Sequence, residues 1–346
     1  MKKTKKQHYI PQFYLKHFSD DKFNIYTIVK PTLKYYNGSI EDTAEKNYFY
    51  DLKIMESYDS LSSDQKQLLD NICMKHQGKK YEELEEAEKI HIDQYIESFF
   101  STQIETPFSN MLQLVIKNTY NFNRWVVKNC YFISDDNKKD MAYYLSIQFI
   151  RSDSYRNFIA KSKINMYKKT LPIMMQFYGK KISENDINVS IDKENMKMDH
   201  IKSILDDELI SEIAKIFYLH KWVLYENHTN IPFITSDDSF IIIPTKKFFG
   251  IYSGTGLASP GVIIEFPLTT NLLLVMFEST SFQYIIDRHI EIINDTNKIK
   301  DANAAIIQNA YRYIYASNLN SVKMVEKLCE LHPKIKEINN KQLISM

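Results

Sequence analysis

The chain has 346 residues, 44% hydrophobic and 25% charged, the balance of a globular protein long enough to bury a sizeable core. Lys+Arg 44 against Asp+Glu 43 nearly cancel, so no global field marks a nucleic-acid binder, and such binding would need a local patch. Cys73, Cys130 and Cys329 lie far apart without C-x-x-C spacing, which argues against a disulfide framework or a zinc site and for free thiols in a reducing compartment.

The basic leader Lys2-Lys3-Lys5-Lys6 runs directly into Gln7-His8-Tyr9-Ile10-Pro11-Gln12-Phe13-Tyr14-Leu15. Chain ends are usually polar and loosely ordered, so an opening this aromatic is expected to be buried. His8, Gln12 and Lys16 interrupt any signal-peptide core, and runs such as Leu272 to Phe277 are too short to span a bilayer. The expectation is a soluble cytoplasmic protein with no membrane partner. The 24 Tyr and 20 Phe could stack on bases, but Ile, Lys and Asn are abundant beside them, as AT-rich coding produces, so composition alone makes no site.

Lys22 to Val29 alternates and is β-branched, which predicts a strand, and Tyr35-Tyr36-Asn37-Gly38 predicts a turn into a further extended piece. From about 61 to 170 the pattern is helical. Glu82, Glu83, Glu85, Glu86 and Glu88 suit the first turns of a long helix, continued by Ile92, Tyr95, Ile96, Phe99 and Phe100 as its core face and kinked or ended by Pro107. Ser134 predicts an N-cap for a second long helix, on which Met141, Leu145, Gln148, Ser152 and Tyr155 share a stripe. Residues 180–200 read as a loop, 201–218 as a helix, and 221–225 with 231–235 as a hairpin around Asn227-His228-Thr229-Asn230. Phe240 to Ile243 begins a new strand. Gly250, Gly254, Gly256 and Gly261 mark a mobile loop, Val262 to Phe266 and Leu272 to Phe277 two apolar strands, and helices are expected at about 280–293, 297–317 and 320–334. The expected fold is α+β and predominantly helical, in a single domain. It has an N-terminal β cap (1–55), a helical body (56–218), a mainly antiparallel sheet region (219–280) and C-terminal helices (281–346).

Three places could carry chemistry. His8 could act as a general base or metal ligand, or be a packed histidine bonded to a carbonyl. Ser236-Asp237-Asp238 at a strand end could hold a metal, or be turn chemistry. Gln148 and Arg151 are helix neighbours whose buried polar groups need partners; a carboxylate such as Glu105 or Asp237 would satisfy Arg151 structurally, and a phosphate functionally. Gly254-Thr255-Gly256 lacks the context of a dinucleotide fingerprint, and no Walker A, HExxH or GxSxG motif occurs.

Taken together, several segments resemble a bacterial family known only as domain-of-unknown-function family 4238. Gln7 to Leu15 with Phe18 resembles its His-x-x-Pro opening, Asn47-Tyr48-Phe49-Tyr50-Asp51 its N-x-F-Y segment, and Ile104-Glu105 its mid-helix acidic position. Gln148-Phe149-Ile150-Arg151 resembles its Q-x-x-R, Phe233 to Asp237 its F-x-T-S-D strand end, Phe266 to Thr269 its P-L-[ST] turn, and Asp301-Ala302-Asn303 with Tyr311-Arg312 its closing helix. The resemblance supplies no activity, but it groups His8, Glu105, Gln148, Arg151, Asp237 and Asn303 as a site assembled from distant elements.

The resulting expectation is a hydrolase acting on a phosphate-containing substrate, specifically a nuclease of a phage-defence or toxin system with RNA or DNA as partner. His8 would be general acid or base, Asp237 and Glu105 would hold Mg²⁺ or Mn²⁺ or orient a water, and Arg151 with Gln148 would clamp a phosphate. Gln12 and Asn303 would contact substrate. The alternative from another class is a non-catalytic binding or sensor protein in which these groups form a buried structural network.

Overall fold

A computed structural model describes residues 4–51, 58–120, 131–245 and 256–336. The fold is α+β and predominantly helical. The helical body comprises α1 (Gln12–Leu15), α2 (Ser63–Gln77), α3 (Glu86–Asp93), α4 (Tyr95–Phe99), α5 (Glu105–Thr119), α6 (Asp135–Ile150), α7 (Asp153–Phe177), α8 (Lys193–Ile204) and α9 (Asp207–Leu219). Local chemistry sets several of these ends. Ser134 caps α6 by accepting from Asn137 N–H, and Ser152 caps α7 by accepting from Tyr155 N–H, so Arg151 is held in the corner between two helices. Gly78 closes α2 at φ 67°, a conformation that favours glycine.

Three sheets complete the chain. β1 (Lys6–His8) pairs with β4 (Glu45–Asn47). β2 (Asn24–Val29) and β3 (Tyr35–Ser39) join β11 (Tyr313–Ala316) and β6 (Thr235–Ser236) in the order β3-β2-β11-β6. The third sheet has the order β10-β5-β9-β8-β7, with β5 (Lys221–Asn227), β7 (Ile241–Pro244), β8 (Val262–Thr269), β9 (Leu272–Phe277) and β10 (His289–Ile293). Two further helices follow, α10 (Thr296–Asn309) and α11 (Leu319–Leu331). β9 is buried at every position, because both faces of this sheet are covered.

The aromatic N-terminus is buried, as expected. Tyr14 stacks on Phe266 at 5.3 Å, Phe266 meets Phe240 at 4.5 Å, and Phe240 reaches Phe217 and Phe149 on the helical body. The Tyr14 hydroxyl, close to Thr235 Oγ1, donates to the Pro267 carbonyl at 2.7 Å. The opening therefore joins the sheet to the helices. Buried Lys138 of α6 does the same, reaching Asp287 at 2.9 Å, whose carboxylate also accepts from Trp222 N–H.

Several expectations need correction. The predicted long helix over 82–100 is divided into a 3₁₀ turn (Tyr81–Glu83), α3 and α4, and a π-helical stretch (Phe100–Ile104) then leads into α5. Pro107 does not end the helix, since α5 runs through it, but the regular α-helical pattern is interrupted by the π-helical stretch immediately before α5. Tyr35 to Gly38 is strand, the reversal falling at residues 30–34 with Leu33 at φ 56°. Residues 180–200 contain the start of α8. Asn227 to Asn230 is an Asx turn and no hairpin loop: β5 pairs with β9 and β10, and the chain beyond Ile231 crosses to the other sheet. The C-terminal region 281–346 is not all helix, since β10 replaces the helix predicted over 280–293 and β11 cuts the one predicted over 297–317. The small N-terminal β cap is the two-stranded β1–β4 sheet, while β2 continues the N-terminal strands into the sheet of β11. Lys2, Lys3, Cys130, Gly250 and Gly254 lie outside the described residues. Among the described residues no helix is long and apolar enough to cross a membrane.

Candidate functional site

Strand alternation in β1 divides its two polar side chains. Gln7 turns inward, fully buried, donating to the Asp51 carboxylate and accepting from Tyr50 N–H at 2.6 Å. His8 is half-buried on the opposite side, 3.1 Å by Nδ1 from the Thr43 carbonyl and 2.8 Å by Nε2 from the Gln12 amide. A carbonyl only accepts, so Nδ1 carries the proton and Nε2 accepts from Gln12, an assignment made from the network. Burial lowers the His8 pKa, opposed by the Thr43 carbonyl, Glu45 and Glu105, which keeps the ring neutral near pH 7.

Arg151, at the end of α6, is 2% exposed. One terminal nitrogen donates to Glu105 Oε1 at 3.0 Å, the other to the His8 carbonyl at 2.6 Å, and the guanidinium lies 4.2 Å over the Phe100 ring. Its own carbonyl accepts from the Tyr50 hydroxyl at 3.2 Å. The π-helical stretch before α5 supplies both Phe100 and the approach to Glu105. Glu97 also acts electrostatically on this cluster: burial raises its carboxyl to about 7, Arg151 opposes this, and Glu105 and Asp51 add to it. Sequence reasoning missed Glu97 because it lies beside the apolar stripe and not on it. Gln148 is buried one turn before Arg151, yet its amide makes no hydrogen bond among the described residues.

Asp237 belongs to a different construction. Its Oδ1 accepts from Tyr311 N–H at 2.9 Å, and its Oδ2 from Arg312 and Tyr313 N–H at 2.8 and 3.0 Å. The carboxylate thus clasps the turn between α10 and β11. Burial raises it to about 7, Asp238 adding and the three N–H donors opposing. Ser236 and Ser239 are spent locally, donating to the Asp238 and Ser236 carbonyls at 2.8 and 2.9 Å. Asn303 of α10 is fully buried and pins the crossing strand, accepting from Ile234 N–H at 3.1 Å and donating to the Pro232 carbonyl at 3.0 Å. The structure therefore joins His8, Gln12, Glu105 and Arg151 in one hydrogen-bonded cluster, and uses Asp237 and Asn303 as two separate clasps.

A family model described as "Protein of unknown function (DUF4238)" matches residues 6–319. The chain belongs to this family. The matched stretch spans every candidate residue from His8 to Asn303. No curated protein and no solved structure matches the chain.

The donor set of this DUF4238 chain does not fit a divalent ion at Asp237 and Glu105. Hard cations need several convergent oxygen ligands, but both Asp237 oxygens face N–H donors and Glu105 faces a guanidinium. No group of three or more His, Cys, Asp or Glu able to hold a metal occurs among the described residues. The crevice beside Asp238, Asn309 and Tyr311 measures about 30 Å³, space for a water or two. In this DUF4238 fold the motif polar groups mostly bind one another and the backbone.

Proposed function

We propose that this DUF4238 chain is a non-catalytic binding or sensing protein whose motif residues lock the N-terminal segment onto the helical body. The observation that carries this reading is Arg151: it is buried, and both terminal nitrogens are already committed to Glu105 and the His8 carbonyl. A phosphate would have to displace those partners and enter a space the solvent does not reach. The three N–H groups on Asp237 support the same reading, since a ligand there would compete with the backbone. The buried free thiols Cys73 and Cys329 fit a reducing compartment such as the cytoplasm.

A second reading keeps one specific observation. Half-buried His8 interacts with Glu105, and Glu105 with Glu97, whose carboxyl is raised to about 7, a value that suits a general acid. That patch could serve hydrolysis of RNA, DNA or nucleotides, as in a nuclease of an antiviral defence system. The purified chain should be incubated with mixed RNA, DNA and nucleotides plus Mg²⁺ or Mn²⁺, beside His8→Ala. The binding reading predicts no turnover by either protein and a lowered melting temperature for the variant. Turnover by the wild type, lost in a variant that melts normally, establishes the hydrolase instead.

A further inference from the structure

The five-stranded sheet has one face against the helical body, through residues such as Trp222, Ile264, Phe266 and Met276. Its opposite face carries Val223, Tyr225, Ile263, Leu273 and Val275, and is covered by α10 and the segment at Phe233. The cover is incomplete and leaves a cavity of about 270 Å³ walled by Tyr225, Phe233, Leu273, Ile293, Ile299 and Ala302. That volume is just under the range of about 300–1,000 Å³ usual for small-molecule pockets, so its occupant is small.

On the sheet side of the cavity, Glu265 breaks this apolar wall. In Val262-Ile263-Ile264-Glu265-Phe266 the strand period places Glu265 beside Ile263 on the cavity face, paired with Ile241 on β7 and Val275 on β9. The side chain is half-buried, and its Oε2 is buried without a hydrogen-bond partner among the described residues. An unpaired carboxylate in such a place is costly, and apolar side chains fill the equivalent positions around it. Burial raises the group to about 7, and among the described residues no cation or donor opposes that shift, in contrast to Asp237 and Glu97. Asp301 and Lys298 also line the cavity, and the Lys298 ammonium is drawn to Glu291, 3.6 Å away, which leaves Glu265 and Asp301 as the acids facing the cavity. Glu291 and Glu265 both act on the Tyr225 hydroxyl. The chamber is apolar in its walls and negative in its field, a combination that repels anions and welcomes a single cationic head on an apolar body. A divalent metal finds too few oxygens here.

We propose that this cavity is a binding site for a small primary amine with an apolar body, its ammonium held by Glu265. The site gives a ligand class to the binding reading and rests on it for its role, but it stands on residues remote in sequence from the His8–Arg151 lock. Failure of one is therefore distinguishable from failure of the other, because the lock is read by melting and the cavity by ligand titration.

The test is calorimetric titration of the full chain with phenethylamine and with 2-phenylethanol, which has the same body and no charge. A charge-assisted hydrogen bond predicts phenethylamine to bind about tenfold more tightly. Glu265→Gln should bring the two probes to within about twofold of each other. Ala302→Leu, which fills the chamber from α10 without touching the carboxylate, should abolish binding of both and decides the matter if Glu265→Gln fails to fold. Equal affinity of the two probes for the wild type, no heat from either probe, or unchanged amine binding by either variant overturns the proposal.

Discussion

The cluster at Arg151 and the chamber at Glu265 contain the same kinds of residue in opposite states. Around Arg151 the two terminal nitrogens, a carboxylate, an imidazole and an amide occupy one another, leaving only Nε without a partner among the described residues, and Asp237 is occupied by the backbone. Glu265 is half-buried in the same fold, with a buried Oε2 that has no hydrogen-bond partner among the described residues. The contrast separates structure from readiness to bind: a polar group already paired holds the fold, whereas a buried one left unpaired costs stability until something arrives. The family motifs mark the first region; of the second they take in Phe233, Asp301 and Ala302 but not Glu265.

The comparison predicts opposite signs for substitutions in the two regions. The largest loss among the lock variants should follow Arg151→Met, which keeps the packing on Phe100 but strips Glu105 and the His8 carbonyl of their donor; urea denaturation should show about 3–4 kcal/mol. Asn303→Leu orphans the Ile234 N–H and the Pro232 carbonyl and should cost about 2 kcal/mol in the same assay. His8→Ala, at a half-buried ring, should cost about 1 kcal/mol, and a larger loss would show the imidazole to be a stronger part of the lock. Glu265→Leu should run the other way and stabilise by about 0.5–1 kcal/mol, since it replaces a half-buried acid with one unpaired buried oxygen by an apolar side chain. A loss there of the size seen for Arg151→Met would erase the contrast.

A pH series sharpens the same point. Glu265 has a carboxyl raised from its ordinary 4.5 to about 7, so the folded state favours its neutral form. Its contribution to stability is complete below pH 4.5 and is lost as pH rises through 7. The unfolding free energy of the wild type minus that of Glu265→Gln should accordingly fall between pH 4.5 and pH 8. Glu97 and Asp237, also raised to about 7, add slopes of the same sign to both proteins and cancel in that difference. A difference that is flat with pH would place Glu265 in an ordinary environment.

Local signals in the sequence translated well into structure. Ser134 predicted a cap and forms one, the aromatic opening predicted burial and is buried, and Gln148 with Arg151 predicted polar groups inside the body. Of the two carboxylates that residue type offers Arg151 as structural partners, Glu105 and Asp237, Glu105 is the one that pairs. What escaped was non-local. His289–Ile293 was read as helix because its strand character comes from parallel pairing with β5, more than sixty residues earlier. The apolar run after Asn230 looked like the return arm of a hairpin, but β5 already has β9 and β10 as neighbours and the run serves the other sheet. For the site, residue type pointed to Asp237 but could not show that three backbone N–H groups, supplied more than seventy residues later, already occupy it. Glu265 did leave a signal, a single acid inside Val262-Ile263-Ile264-Glu265-Phe266, and a charge in the middle of a central strand is the pattern to look for.

The central claim is that the motif residues are structural, and the denaturation midpoint of Asp237→Ala tests it most directly. The substitution strips three part-buried backbone N–H groups of their acceptor, and the account predicts a loss of about 3 kcal/mol with the midpoint shifted to correspondingly lower urea. A variant as stable as the wild type, or more stable, would contradict it, since that is how a carboxylate kept for chemistry behaves when removed.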